Sequence, residues 1–131
     1  MIAIGIGCRR GASAQAILDT IAAARAGIPA TDDILLCSGE LKSAEDGLKR
    51  AAEQLGARLE FLPMAALREA DHRCATRSTA SMAATGLGSM AEAAALAAAG
   101  PDARLIVPRL AGKGVTCAIA AHPDVTETRL T

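Results

Sequence analysis

The residues best suited to chemistry in this sequence form one short loop, Gly7-Cys8-Arg9-Arg10-Gly11. Two guanidinium groups stand between glycines that let the backbone approach a ligand, and the N–H groups of a helix start follow; both features favour an anion. We predict that a carboxylate or phosphate binds at this loop. The alternative is a tight turn whose arginines are only solvated.

Cys8 lies at the entrance of that helix, where positive potential is expected to lower the pKa of its thiol and raise its reactivity. No histidine stands next to it in the sequence to act as a base. A nucleophilic role is therefore the lesser interpretation. The favoured one is a small packing residue that lets the loop fold tightly, and the catalytic residues stay unknown.

Two further loops contribute candidate binding residues. In an open α/β sheet, ligands bind beyond the carboxyl ends of the strands, which selects residues 7–12, 38–43 and 84–89. Lys42 is expected to join the arginines on a polyanionic ligand. Lys113 lies between two glycines, and its favoured interpretation is a solubilising turn lysine. The second interpretation is a ligand contact. The remaining candidates from these segments are Ser13, Ser38 and Ser89.

Other ligand classes find little support. Four cysteines lie far apart with no C-x-x-C pair, which indicates reduced thiols and no structural zinc site. The G-x-G-x-x-A match at residues 86–91 follows a helix-like alanine-rich stretch, whereas a dinucleotide site needs a strand there, and no P-loop occurs. We predict no metal and no cofactor.

Alternating strands and helices must position these loops. Apolar runs predict strands at 2–6, 33–38, 59–61, 104–107 and 115–120, with glycines at the turn 111–114. Ser13, Ser43 with Asp46, and Ser89 with Glu92 are expected to begin helices that end near Gly27, Gly56 and Gly100. A weak helix is predicted at 65–70, an exposed loop at 71–79 and a frayed tail beyond His122.

This pattern predicts an α/β fold: one three-layer α/β/α domain over residues 1–131, with a mixed, mostly parallel sheet and a C-terminal hairpin. Basic and acidic residues both number 14, and Phe61 is the only aromatic residue. Nucleic acid is therefore a poor ligand, since neither a general positive field nor stacking platforms exist. The apolar start is too short for a signal or membrane span, so we expect a cytoplasmic protein.

Taken together and in order, these segments resemble the CobE family, equivalent to the C-terminal domain of the cobalamin-biosynthesis protein CbiG. The glycine-Cys-Arg-Arg-glycine loop is the most specific part. Two departures are Ala12, where a threonine is expected, and Arg109, where a lysine often follows Val-Pro. The stretches that carry the resemblance are GIGCRRG at 5–11, Leu41-Lys42 with Glu45 and Gly47-Leu48, GSMAEAAAL at 88–96, VPR at 107–109 and VTCAIA at 115–120.

The resemblance implies a role in building the corrin ring of vitamin B12. Proteins like CbiG are associated with opening the lactone of cobalt-precorrin-5A and releasing acetaldehyde, so one hypothesis is a hydrolase acting on a precorrin or cobalt-precorrin. The other is a non-catalytic carrier or partner module that hands such an intermediate to other corrin-pathway enzymes. Both hypotheses provide a ligand for the predicted anion site, because these rings carry many acetate and propionate carboxylates.

Overall fold

The structure is a computed structural model that describes residues 1–123. The frayed tail predicted beyond His122 therefore lies outside the described residues from residue 124 onward. The strands are β1 (Ile2–Cys8), β2 (Ile34–Gly39), β3 (Arg58–Leu62), β4 (Arg104–Ala111) and β5 (Val115–Ala121). The helices are α1 (Ala14–Arg25), α2 (Asp46–Leu55), α3 (Met64–Ala70), α4 (Thr79–Thr85) and α5 (Met90–Ala99). Short 3-10 turns cover Glu40–Lys42 and Asp71–Arg73.

The five strands form one mixed sheet in the order β3-β2-β1-β5-β4. β1 pairs in parallel with β2, and β2 with β3, whereas β5 runs antiparallel to both β1 and β4. The predicted α/β class and the C-terminal hairpin are confirmed. Half of the strand pairs are parallel, although four of the five strands run in the same direction.

β1 separates two apolar layers because its large and small residues alternate. Ile2, Ile4 and Ile6 belong to the core beneath α1 and α2. On the opposite face, Ala3 packs in the layer that contains residues of α3 and α5. Side chains alternate across a strand, so this single sequence run sets both faces of the three-layer arrangement.

α5 lies unusually close to the sheet at Gly5. A Cβ atom placed on Gly5 would stand only 1.9 Å from the carbonyl oxygen of Ala91. Seven of the ten α5 residues are buried, and seven of the ten are alanines. The glycine in β1 and the alanines of α5 together allow the helix backbone to rest on the strand.

Helix starts agree in part with the sequence signals. Ser13 caps α1 and Ser89 caps α5, each accepting a bond from the backbone N–H three residues on. The predicted cap at Ser43 is wrong, because α2 begins after Glu45. Glu45 instead accepts a hydrogen bond from the Gly11 N–H at 2.7 Å, so a tertiary contact determines this helix start.

The C-terminal hairpin is longer than predicted and contains an irregularity. The prediction ended β4 at Val107, but the strand continues to Ala111. Its register with β5 shifts between Val107 and Leu110, which places Pro108 and Arg109 in a β-bulge. β4 is an edge strand, and proline is tolerated at edges and bulges.

The helices of the described chain are short. Within residues 1–123 no single helix is long and apolar enough to cross a membrane. α4 and α5, which meet at a bend of 70°, satisfy that length and composition criterion only when they are taken as a pair.

Candidate functional site

One edge of the sheet gathers the loops from which a binding site can be built. β1 and β2 end at this edge, and the turn between β4 and β5 reaches it because β5 runs against β1. The Arg9 N–H donates to the Gly114 carbonyl at 2.9 Å, which fixes the first loop to the hairpin turn. The antiparallel strand therefore adds a wall that an all-parallel sheet would lack.

A cleft of about 440 Å³ opens at this edge. Its described lining includes three cationic side chains, Arg9, Lys42 and Arg109, which come from three different elements. No Asp, Glu or His is among the described residues that line it. Hydroxyl groups complete the polar lining; they belong to Ser78, Ser81, Thr85, Ser89 and Thr116. The composition favours an anionic ligand.

The floor of the cleft is formed where α5 begins. Ser89 is buried, and its hydroxyl accepts the Glu92 N–H at 3.2 Å. Beside it, the Thr116 hydroxyl donates to the Gly7 carbonyl at 3.3 Å. A Cβ atom on Gly7 would approach that same hydroxyl to 2.7 Å, so glycine allows the Thr116 side chain to lie close to the β1 backbone here.

The outer wall is α4, which has no buried residue and is held at its two ends. Ser78 caps the helix and its N–H donates to the Gly88 carbonyl at 2.8 Å. Asp71 accepts the Gly88 N–H at 2.8 Å and forms a salt bridge with Arg77 at 3.2 Å. The Gly88 N–H, with the Arg77 guanidinium, lowers the pKa of the Asp71 carboxyl.

The structure brings five of the ten predicted binding residues together. The five that line the cleft are Gly7, Cys8, Arg9, Lys42 and Ser89. The three cleft cations differ in setting: Lys42 is half-buried, whereas Arg9 and Arg109 are exposed.

The other five predicted residues lie outside the described lining of the cleft. Ser38 is fully buried in β2, and its hydroxyl donates to the Ile6 carbonyl at 2.6 Å. Ser13 caps α1, and Gly11 has a positive φ of 76° in the turn before it. Arg10 is exposed next to Gly11, and Lys113 instead borders a groove between α1 and β4.

The expectation of a low thiol pKa at Cys8 is wrong. Partial burial raises the pKa of Cys8, and this outweighs the lowering effect of the Lys42 ammonium; the Glu45 carboxylate raises it further. A thiol with a raised pKa is a weak nucleophile at neutral pH. The packing interpretation of Cys8 agrees with this environment.

Arg109 and the hydroxyls of the outer wall were not among the predicted site residues. In the sequence, Arg109 stands out as a departure from the family pattern, and its place directly after a proline is a signal of a strand bulge. Ser78 and Ser81 lie in or next to the segment 71–79, for which the sequence predicts an exposed loop but no ligand contacts. Only the tertiary structure shows that both segments line the same cleft as Arg9.

Comparison with known proteins gives a consistent result. Residues 2–120 match the family described as cobalamin synthesis G C-terminus. The chain is 31% identical over 121 residues to Protein CobE of Sinorhizobium sp, which covers 91% of this chain and 79% of the relative.

Two solved structures are similar over nearly their whole length. One is the crystal structure of CobE, a protein from the cobalamin (vitamin B12) biosynthetic pathway, with a TM-score of 0.83 and 31% identity over 92% of this chain and 89% of that chain. The other is the cobalamin biosynthesis protein chiG from Agrobacterium tumefaciens, with a TM-score of 0.71 and 37% identity over 93% of this chain and 98% of that chain.

Proposed function

Because the chain belongs to the cobalamin synthesis G C-terminus family, which its residues 2–120 match, we propose that its cleft binds a precorrin or cobalt-precorrin through the carboxylates of the ring. Membership makes it a protein of cobalamin biosynthesis. The observation that carries the proposal is the convergence of Arg9, Lys42 and Arg109 on one cleft without a lining carboxylate.

The chemistry of the ligand suits this arrangement. Acetate and propionate side chains radiate from a precorrin ring, so several carboxylates meet the protein at once. Arg9 and Arg109 have guanidinium groups that can bind a carboxylate with two parallel hydrogen bonds, and Lys42 adds a point charge. Cations on separate elements can each take a different carboxylate, and the wall hydroxyls can serve as further donors.

Between the two roles for such a site, we propose binding and transfer of the intermediate without chemistry. Lactone hydrolysis needs a group that activates water. The described lining offers neither a carboxylate nor an imidazole for this task, and the Cys8 thiol has a raised pKa. The protein then serves as a carrier or partner of other corrin-pathway enzymes.

The binding test uses uroporphyrin I, a stable octacarboxylic macrocycle whose fluorescence reports binding. Arg9→Ala, Lys42→Ala and Arg109→Ala should each weaken binding about 3- to 10-fold, the lower end reflecting solvent screening of exposed charges. Affinity should also fall as salt concentration rises. Arg10→Ala and Lys113→Ala remove the same charges outside the cleft and serve as matched controls with unchanged affinity.

The role is tested separately by turnover. Purified protein incubated with cobalt-precorrin-5A should bind the compound without releasing acetaldehyde. Catalytic release of acetaldehyde would contradict the carrier role and show that the protein hydrolyses the lactone. Equal losses of uroporphyrin affinity in the cleft variants and in Arg10→Ala would overturn the site itself.

A further inference from the structure

Glu92 is a fully buried carboxylate in the first turn of α5, with 0% of its surface exposed. It accepts three hydrogen bonds: from the Thr76 N–H at 2.8 Å, the Thr76 hydroxyl at 2.9 Å and the Arg109 N–H at 2.8 Å. No salt bridge to Glu92 is formed within residues 1–123. Burying a charged group without a cation is costly, so this placement calls for a reason.

The two residues that donate to Glu92 belong to two different segments, each of which contributes residues to the cleft lining. Thr76 precedes Ser78, where the α4 wall begins, and Arg109 supplies a cation of the cleft from β4. Each segment is held mainly from one direction, because α4 has no buried residue and is held at its ends, and β4 pairs with β5 alone. A single carboxylate thus joins the outer wall to the hairpin.

The bulge in β4 explains why Arg109 needs this acceptor. A bulged residue loses its place in the strand ladder, and its N–H must find another partner. Pro108, just before it, has no N–H to offer, so the Arg109 N–H is the donor that this stretch presents to α5. Glu92 accepts it and thereby fixes the backbone from which the Arg109 guanidinium extends.

We propose that Glu92 is a positioning residue that holds Arg109 and the α4 wall in place for the carboxylates of the ligand. This inference rests on the proposed function and names the group that sets the geometry of that site. In either orientation the NH₂ group of glutamine would face a backbone N–H donor, that of Thr76 or that of Arg109, so glutamine cannot hold both segments at once. Replacing Glu92 should therefore loosen the contact between the α4 wall and Arg109 and reduce the binding role of Arg109.

A double-mutant cycle measures this dependence directly. In the unchanged protein, Arg109→Ala should weaken uroporphyrin I binding about fivefold. In the Glu92→Gln background the same change should weaken it less than about twofold, because Arg109 is already misplaced. Lys42→Ala is the matched control, since Lys42 lies on another element, and it should keep its full effect in both backgrounds.

A structural readout accompanies the cycle. The Thr76 and Arg109 amides should be protected from hydrogen exchange in the unchanged protein, and in Glu92→Gln the protection of this pair should fall, while the β5 amides of Cys117 and Ile119 stay protected. Additive effects of Arg109→Ala and Glu92→Gln would overturn the inference. If no cleft substitution weakens uroporphyrin I binding, the proposed function is wrong and the role of Glu92 is wrong with it. Additivity with intact cleft effects contradicts the role of Glu92 alone.

A second variant covers the case in which Glu92→Gln does not fold. Thr76→Val removes one hydroxyl donor and leaves the other two hydrogen bonds of Glu92 in place. Its cycle with Arg109→Ala should show a smaller coupling of the same sign, and circular dichroism should show an unchanged fold. Purely additive behaviour in this folded variant would equally contradict the positioning role.

Discussion

At the scale of single residues, Cys8 shows how burial can oppose a positive neighbourhood. Its thiol lies near Lys42, yet desolvation raises its pKa above the ordinary value. At a given pH, less thiolate is present than for a free cysteine, because a raised pKa keeps the proton bound. The residue is therefore a packing element in a cationic cleft.

This makes the pH profile of Cys8 alkylation a specific prediction. The midpoint of the iodoacetamide rate, followed by peptide mass spectrometry, should lie above that of free cysteine. Lys42→Ala should move the midpoint higher because it removes a stabilising ammonium, whereas Glu45→Gln should move it lower. A midpoint near neutral pH would contradict the environment described for this thiol.

The site residues could be predicted where they follow a strand directly. Arg9 and Lys42 come after β1 and β2, and parallel strands bring their ends to one edge. Arg10 and Ser38 were assigned by proximity in sequence, but side-chain direction changes from residue to residue and Ser38 points into the core. Arg109 escaped prediction because only the position of β4 across β5 brings it to the cleft.

At the scale of secondary structure, the contact between α5 and β1 gives the sharpest stability prediction. Gly5→Ala would place a Cβ atom against the Ala91 carbonyl, and the nearest atoms are all α5 backbone, which leaves little room to adjust. We expect a loss of about 3 kcal/mol or more in the free energy of unfolding, measured by urea denaturation.

Gly27→Ala is the matched control for that substitution. Nothing lies within 4 Å of a Cβ atom at Gly27, and its φ is not in the left-handed region. The unfolding free energy should change by less than about 0.5 kcal/mol or rise slightly. Equal losses in the two variants would show that the close approach at Gly5 does not limit packing.

Local signals located most elements, and tertiary contacts explain the exceptions. Gly56 ends α2 with a positive φ of 65°, as its sequence position predicts. The Ser43 signal failed because Glu45 is engaged by Gly11 from a distant loop. Glu92 matched a capping box, but its carboxylate turns to Thr76 and Arg109 instead of its own helix start. Local sequence patterns do not predict such long-range hydrogen-bond partners.

At the scale of the whole molecule, buried thiols make stability depend on alkaline pH. Cys37 and Cys117 are fully buried on two faces of the sheet, and burial raises the pKa of both, that of Cys117 to about 12. In the unfolded chain these thiols ionise near pH 8.5. Their contribution is complete below that pH and is lost as pH rises, because only the unfolded state releases the protons.

The free energy of unfolding under reducing conditions should therefore decline between pH 8 and pH 10, by roughly 2 kcal/mol per buried thiol at pH 10. Urea titrations at several pH values measure this slope. Cys117→Ala should give a shallower slope whatever its effect on stability at neutral pH. An identical slope in that variant would show that Cys117 does not carry the dependence.

The pairing of β5 with β1 has a consequence for synthesis of the chain. β1 is made first and β5 last among the five strands, yet they are neighbours, and 109 positions separate the bonded pair Gly7 and Thr116. While the ribosome is still adding residues before Val115, one side of β1 has no partner strand. Each nascent chain thus carries an open, isoleucine-rich edge until its final strand emerges, and that interval is when it is most exposed to aggregation.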